Sequence, residues 1–119
     1  LGLSEAVKFL GIRNDVHELL QAMDVFLLPS RYEGLGIVYI EAQAAGLVTF
    51  GSDVVVPKEA KVTDLMYFIP LEKPAEYWAQ KVLEHSDGYE RRNTSEKIEK
   101  CGFDIRKEAK KLEEIYEVC

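Results

Sequence analysis

VFLLPSRYEGLGIVYIEAQAAG, residues 25–46, joins an unbroken apolar run to a segment of helical period through a turn holding two glycines and a glutamate. Val25 to Leu28 show no alternation, as in a strand covered on both faces, and Pro29-Ser30 ends them. A helix starting at Gly36 or Ile37 then places Glu41 about 40° from Ile37, at roughly 100° per residue, between Ala44 on one side and Ala45 and Val38 on the other. Glu41 falls in the middle of an apolar face, and Tyr39 and Gln43 make up the polar sector. A carboxylate among Ile, Val and Ala needs donors to offset its desolvation.

Outward from this unit, short apolar runs alternate with helical periods, the pattern of parallel strands joined by helical crossovers. Val7 to Leu10 reads as a strand. Asp15-Val-His-Glu18 resembles a capping box, and Val16, Leu19, Leu20 and Met23 follow at i, i+3, i+4 and i+7. Further strands are expected at Leu47 to Phe50 and Met66 to Ile69, with a loop and a short Pro57-led turn of helix over Val54 to Ala60. Pro74 suits a first helical position, Ser86-Asp87-Gly88 punctuates, and Ile105, Ala109, Leu112 and Tyr116 mark a last amphipathic helix. The expected fold is α/β, a parallel sheet of about four strands with flanking helices.

Composition narrows the function classes. With 119 residues, 47% of them apolar and 30% charged, one globular core is expected. No run approaches the ~18 apolar residues of a membrane span. The opening LGLSEAVKFLG has neither a basic n-region nor a signal-type cleavage site, so the chain reads as cytoplasmic. A net charge of −6 lacks the basic field that phosphate backbones attract, which argues against nucleic acid as a partner. Cys101 and Cys119 have no second pair or His cluster at ligand spacing, so reduced thiols are expected rather than a disulfide framework or a zinc site. Asp-x-Asp is missing too, which favours chemistry without a metal.

The glycine-rich turn is where a ligand would sit. Glu33 precedes the helix, and Gly34 and Gly36 let the backbone adopt conformations closed to other residues and let a ligand approach the main chain. The N–H groups of Ile37 and Val38 point into the same space. A helix N-terminus at the carboxyl end of a buried parallel strand favours a phosphate. The site would hold a diphosphate between two carboxylates. Bland readings stand beside this one: Glu33 favouring the helix dipole from solvent, the glycines serving only the turn, and Glu41 pairing with a lysine from elsewhere.

PSRYEGLGIVYIEAQAAG with its Glu-x7-Glu spacing, preceded by VKFLGIRNDVHELLQAMDVFLLPS, closely resembles the donor-binding half of family 4 glycosyltransferases of the GT-B architecture. GLVTFGSDVVVPKEAKVTDL and FDIRKEAKKLEEIYEVC look like the same family's later strands and final helices, and the narrower likeness is to bacterial enzymes of exopolysaccharide or capsule assembly. The resemblance implies that residues 1–119 form a single partial Rossmann-like nucleotide-sugar-binding domain, without the amino-terminal acceptor domain or the first βαβ unit of the donor domain. It implies retaining transfer of a hexose from a nucleotide diphosphate sugar to a hydroxyl acceptor, a saccharide or lipid-linked one bound by the absent domain. No further cofactor and no metal are implied, and the full-length protein would be cytoplasmic or peripheral at the inner membrane face.

Carried over by position, Glu33 matches the motif glutamate that contacts hydroxyls of the transferred sugar, and Glu41 the one that accepts hydrogen bonds from the ribose diol. Gly34, Leu35, Gly36, Ile37 and Val38 match the segment whose amides meet the sugar and the diphosphate. Gly11, Ile12 and Arg13 match the place where the nucleobase rests, with Arg13 alternatively a solvated loop cation. The family's basic pair at the diphosphate has no counterpart in the chain, and Val48 stands where the family often has proline. His17 and His85 are expected at the surface, not in catalysis. An open sheet edge where the earlier unit would pair leads to an expectation of self-association. Two other classes stay open: a nucleotide-sugar-binding or regulatory module without transfer activity, and an interaction domain using Tyr77 and Trp78, aromatics that more often serve packing.

Overall fold

The computed structural model describes residues 1–118. Its elements run α1 (Val16–Ala22), β1 (Val25–Leu28), α2 (Ile37–Ala44), β2 (Val48–Ser52), a 3-10 turn (Lys58–Ala60), β3 (Met66–Ile69), α3 (Ala75–Ser86), α4 (Ser95–Lys100) and α5 (Ile105–Val118). The strands form one parallel sheet in the order β1-β2-β3. Val25 pairs with Val48 and Leu28 with Gly51, while Thr49 pairs with Met66 and Ser52 with Ile69.

Period-2 alternation divides the side chains between two packed layers. On the α2 side, Phe26, Leu28, Met66 and Phe68 meet Tyr39, Val56 and Ala60. On the α3 side, Val25, Val48, Phe50, Tyr67 and Ile69 meet Trp78, Tyr77 and Val82. Burying a side chain such as Phe50 contributes about 1.5–3 kcal/mol, and β2 is buried at every position because it is covered on both faces and paired on both edges. Trp78 belongs to this core and offers no partner surface.

Among the described residues three strands form, not about four. Val7 to Leu10 are exposed and pair with nothing in the sheet. Strand propensity is realised only where a ladder satisfies the backbone, and β1 bonds to β2 alone. The strand expected at Leu47 to Phe50 begins one residue later and runs on to Ser52, because Gly51 and Ser52 pair with Phe68 and Ile69. The capping box does not form either. Asp15 takes the N-cap position of α1 without a side-chain cap bond, since both its oxygens accept from Arg13, Nε at 2.7 Å and Nη2 at 2.6 Å. A two-pronged charge-assisted pair outcompetes an amide contact.

In the last third, α3 starts at Ala75, so that Pro74 takes the N-cap in an extended conformation instead of the first helical position; α3 ends at Ser86 and α5 starts at Ile105, as the sequence implies. Helix α4 carries no periodic signal beyond Ile98. His17 lies exposed, whereas His85 is half-buried and stacks on Tyr67 with 3.9 Å between ring centroids. Cys101 is an exposed free thiol, and Cys119 lies outside the described residues.

Candidate functional site

Helix α2 begins where Gly36 takes a left-handed conformation, φ +75° and ψ 43°. A side chain there would be strained, and a Cβ would also come 3.0 Å from Tyr39 Cδ2. Gly36 thus serves both the turn and the close approach of the Tyr39 ring. Gly34 differs: its φ is not positive, and a Cβ on it would meet nothing within 4 Å. The chain's own packing does not demand glycine at 34. No side chain caps α2, and the amides of Ile37 and Val38 donate to no acceptor among the described residues. These are two of the orphan donors that any helix start presents.

Glu33 is half-buried in the loop after β1, at the carboxyl end of the sheet. Ser30 Oγ donates to its Oε1 at 2.6 Å, and Tyr39 Oη lies 3.0 Å from the same Ser30 Oγ and donates to Leu28 O at 2.9 Å. Ser52 Oγ in turn donates to Ser30 O at 2.7 Å, tying the loop to the end of β2. Burial raises the Tyr39 phenol above the ordinary tyrosine range; the Ser30 bond lowers it, and the Glu33 charge raises it further.

Glu41 is exposed, which overturns its expected place on a covered face. The helix turns the other way: Tyr39 and Gln43 are fully buried, while Ile37, Glu41 and Ala44 face out. The reason is polar satisfaction inside. Gln43 Oε1 accepts from the amides of Val62 and Thr63 and from Thr63 Oγ1 at 3.1, 3.0 and 2.9 Å, and its Nε2 donates to Tyr39 O and Ala60 O at 3.0 and 2.7 Å. A glutamine whose amide is this fully bonded is as acceptable in a core as an apolar residue. The outward stripe is then apolar except for Glu41, and among the described residues no ion pair includes it.

The structure therefore brings Glu33, Gly34, Leu35, Gly36, Ile37 and Val38 together with Glu41 one helical turn on. It does not bring Gly11, Ile12 and Arg13 to them. Those three are exposed, and Ile12 and Arg13 line a separate depression of about 470 Å³ with Leu10, Asn14 and Asp15. The Asp15 bond raises the Arg13 pKa, and Arg13 holds the Asp15 carboxyl below its usual range. Arg13 is thus a paired loop cation in this structure. Sequence reasoning missed Ser30 and Tyr39, and the signal available was Ser30 three residues before Glu33 at the strand's end, with Tyr39 one turn into the next helix.

Comparison with known proteins identifies the family. Residues 1–87 match the family described as Glycosyl transferases group 1. The chain is 32% identical over 114 residues to "Putative glycosyltransferase EpsF" of Bacillus subtilis (strain 168), covering 94% of this chain and 30% of that protein. It is 41% identical over 54 residues to the UDP-Gal:alpha-D-GlcNAc-diphosphoundecaprenol alpha-1,3-galactosyltransferase of Escherichia coli, covering 45% of this chain and 14% of that enzyme. With the Vi polysaccharide biosynthesis protein VipC/TviE of Salmonella typhi it shares 53% identity over 47 residues, 40% of this chain and 8% of that protein. The chain thus spans under a third of the length of these curated relatives. No solved structure matches it significantly. The family match takes in all three strands and the glycine-started helix between the first two, and the chain belongs to the group 1 glycosyl transferases.

Proposed function

We propose that this chain is a single partial domain that binds the donor of a retaining hexosyltransferase, in a protein that carries a sugar from a nucleotide diphosphate to a hydroxyl acceptor in cell-surface polysaccharide assembly. The observation that carries the reading is the uncapped start of α2, whose Ile37 and Val38 amides lie between Glu33 and the outward Glu41. The helix dipole and the two amides favour a diphosphate there. Glu33 Oε2, which accepts no hydrogen bond among the described residues while Ser30 holds Oε1, is an acceptor for a hydroxyl of the transferred sugar. Glu41 is the acceptor for the ribose diol, and the open space at Gly34 leaves room for the donor beside the main chain.

Family membership and the names of its relatives support sugar transfer, and the galactosyltransferase's name specifies a nucleotide donor and a lipid-linked acceptor. In the mechanism, charge builds on the leaving diphosphate and on an oxocarbenium-like sugar. Donors fixed at the helix start stabilise the first without reorganising, and Glu33 orients the second. Neither glutamate is assigned as a nucleophile, because both are committed to hydroxyls. No metal is invoked in this reading. Among the described residues no helix is long and apolar enough to cross a membrane.

The test is a nucleotide-sugar panel on the full-length protein, followed by Glu41→Gln. Charge-assisted hydrogen bonds contribute about 1.5–3 kcal/mol each, so nucleoside diphosphate affinity should fall by roughly 10- to 100-fold. Because Glu41 is exposed, the melting temperature should hardly move. Unchanged affinity in calorimetric titration, or failure of every nucleotide sugar to bind, would remove the proposal.

A further inference from the structure

We infer that Tyr39 and Ser30 are positioning residues that set the Glu33 carboxylate for the transferred sugar and hold it in register with the diphosphate-binding start of α2. The inference rests on the donor-binding reading of Glu33 given above.

A glutamate in a loop with glycine beside it has three free side-chain torsions, and ordering it costs rotamer freedom. In this chain that ordering is built in before any ligand arrives. Ser30 Oγ, 2.6 Å from Oε1, commits one oxygen of the carboxylate and leaves the other as the acceptor. With the Ser30 hydrogen given to Glu33, the Tyr39 hydroxyl shares its own between Leu28 O at 2.9 Å and Ser30 Oγ at 3.0 Å. Each donor in the chain is then used, and Ser30 Oγ is held from both sides.

Tyr39 is able to do this because its ring cannot move. It is fully buried, and it meets the Phe26 ring edge-on at 5.8 Å between centroids. Two glycines make its slot. A Cβ on Gly51 would come 2.8 Å from Tyr39 Cε1 and 2.9 Å from Met66 Cε, and one on Gly36 would come 3.0 Å from Tyr39 Cδ2. Gly51 lies in β2 opposite Leu28, so the slot is cut into the sheet next to the strand end that carries the Ser30 loop. Tyr39 itself belongs to the first turn of α2. One rigid side chain therefore links the helix whose amides would hold the diphosphate to the loop whose carboxylate would hold the sugar. Fixing these two contacts relative to each other keeps the anomeric carbon in line with its leaving group, where small misplacements cost rate more than affinity.

The experiment compares kcat, donor KM and nucleoside diphosphate affinity in the full-length protein for Ser30→Ala, Ser30→Thr, Tyr39→Phe, Glu33→Ala and the Ser30→Ala/Glu33→Ala double variant. Glu33→Ala should lose turnover while keeping nucleoside diphosphate affinity. Ser30→Ala, which removes a hydrogen bond to a charged group, should lower kcat about 10-fold with that affinity unchanged. Ser30→Thr keeps the hydroxyl and should restore most of the rate. Tyr39→Phe keeps the packing and should lower kcat by about 3-fold, the effect of one neutral hydrogen bond. On the Glu33→Ala background the Ser30→Ala change should add nothing, since its effect passes through Glu33. Wild-type kcat in both Ser30→Ala and Tyr39→Phe, or a full Ser30→Ala loss on the Glu33→Ala background, overturns the inference while Glu33 keeps its role. Wild-type turnover in Glu33→Ala overturns the donor-binding reading of Glu33, and the inference falls with it. Should Ser30→Ala fail to fold, the Ser30→Thr and Tyr39→Phe rates still decide.

Discussion

Helix α2 turns a tyrosine and a glutamine inward, whereas helix α5 leaves Ile105, Leu112, Ile115 and Tyr116 in solvent. By the usual rule the second is the amphipathic helix and the first a poor one. The two differ in what lies against them. Above α2 the 3-10 turn and the loop to β3 present carbonyls and amides that Gln43 bonds one by one, so polar atoms are welcome inside. From Ile105 to Glu117, α5 is exposed at every residue but the half-buried Glu108, and its apolar stripe meets no such surface among the described residues. Periodicity says which side chains share a face; which face is covered depends on the partner.

The sharpest way to break this comparison is Gln43→Leu. Leucine has a similar volume and is the kind of residue a covered helix face usually holds. If apolar burial alone fixes α2, the change is neutral. If the bonds fix it, the change leaves the Val62 and Thr63 amides and the Thr63 hydroxyl buried without acceptors, each stranded group costing about 1–3 kcal/mol. The loss expected is about 3 kcal/mol or more, a large part of a small domain's stability. The midpoint of urea unfolding measures it, and a shift near zero would mean that α2 is oriented by its alanines.

A smaller effect reads the same buried face through pH. Burial is the largest of the influences that raise the Tyr39 phenol above the ordinary tyrosine value of 10.0. A raised folded-state pKa means that both states hold the proton below the unfolded value, whereas only the folded state keeps it just above. The contribution is therefore fully present below about pH 10 and is lost as pH rises through the folded value, by at most about 1.4 kcal/mol per pH unit. The comparison is with Tyr39→Phe. That variant should lose less stability than the wild type between about pH 9 and about pH 11. Parallel alkaline slopes for the two proteins would show that Tyr39 is not kept from water.

These tests bear on how much could be read from the sequence. β1 and β3 were legible residue for residue, because an unbroken apolar run ended by proline has few other interpretations. The start of α2 was legible from Gly36, whose positive φ the sequence could only permit. The inward face of α2 was not. A pattern of side chains holds no record of the Val62 and Thr63 amides, which lie some twenty residues on in sequence and make Gln43 a core residue. Val7 to Leu10 failed for the opposite reason: the run had strand character, and the ladder that would use it is missing from the described sheet. Of the candidate residues, Glu33 lies half-buried in the loop before α2, Glu41 on an exposed face instead of a buried one, and Arg13 in a pair with Asp15. The Ser30 and Tyr39 hydroxyls stayed hidden because both residue types are common in turns and strands for reasons unrelated to a ligand.

The smallest expected effect lies on α5, and it sharpens the comparison from its other side. Leu112→Gln removes an apolar side chain from the stripe while keeping helix propensity and net charge. If nothing covers the stripe, stability should change by no more than about 0.5 kcal/mol, as for surface substitutions elsewhere. This is the reverse of the Gln43 result, where an apolar replacement destabilises and the polar original is needed. A loss above about 1.5 kcal/mol would mean that Leu112 is buried in solution against something the described residues do not show. A second copy of the chain would then betray itself by a melting temperature that rises with protein concentration. The same measurement bears on the open edge of β1, where Leu27 is exposed and self-association through strand pairing was expected. A melting temperature independent of concentration, together with a neutral Leu112→Gln, would leave both the α5 stripe and the β1 edge facing water in this chain.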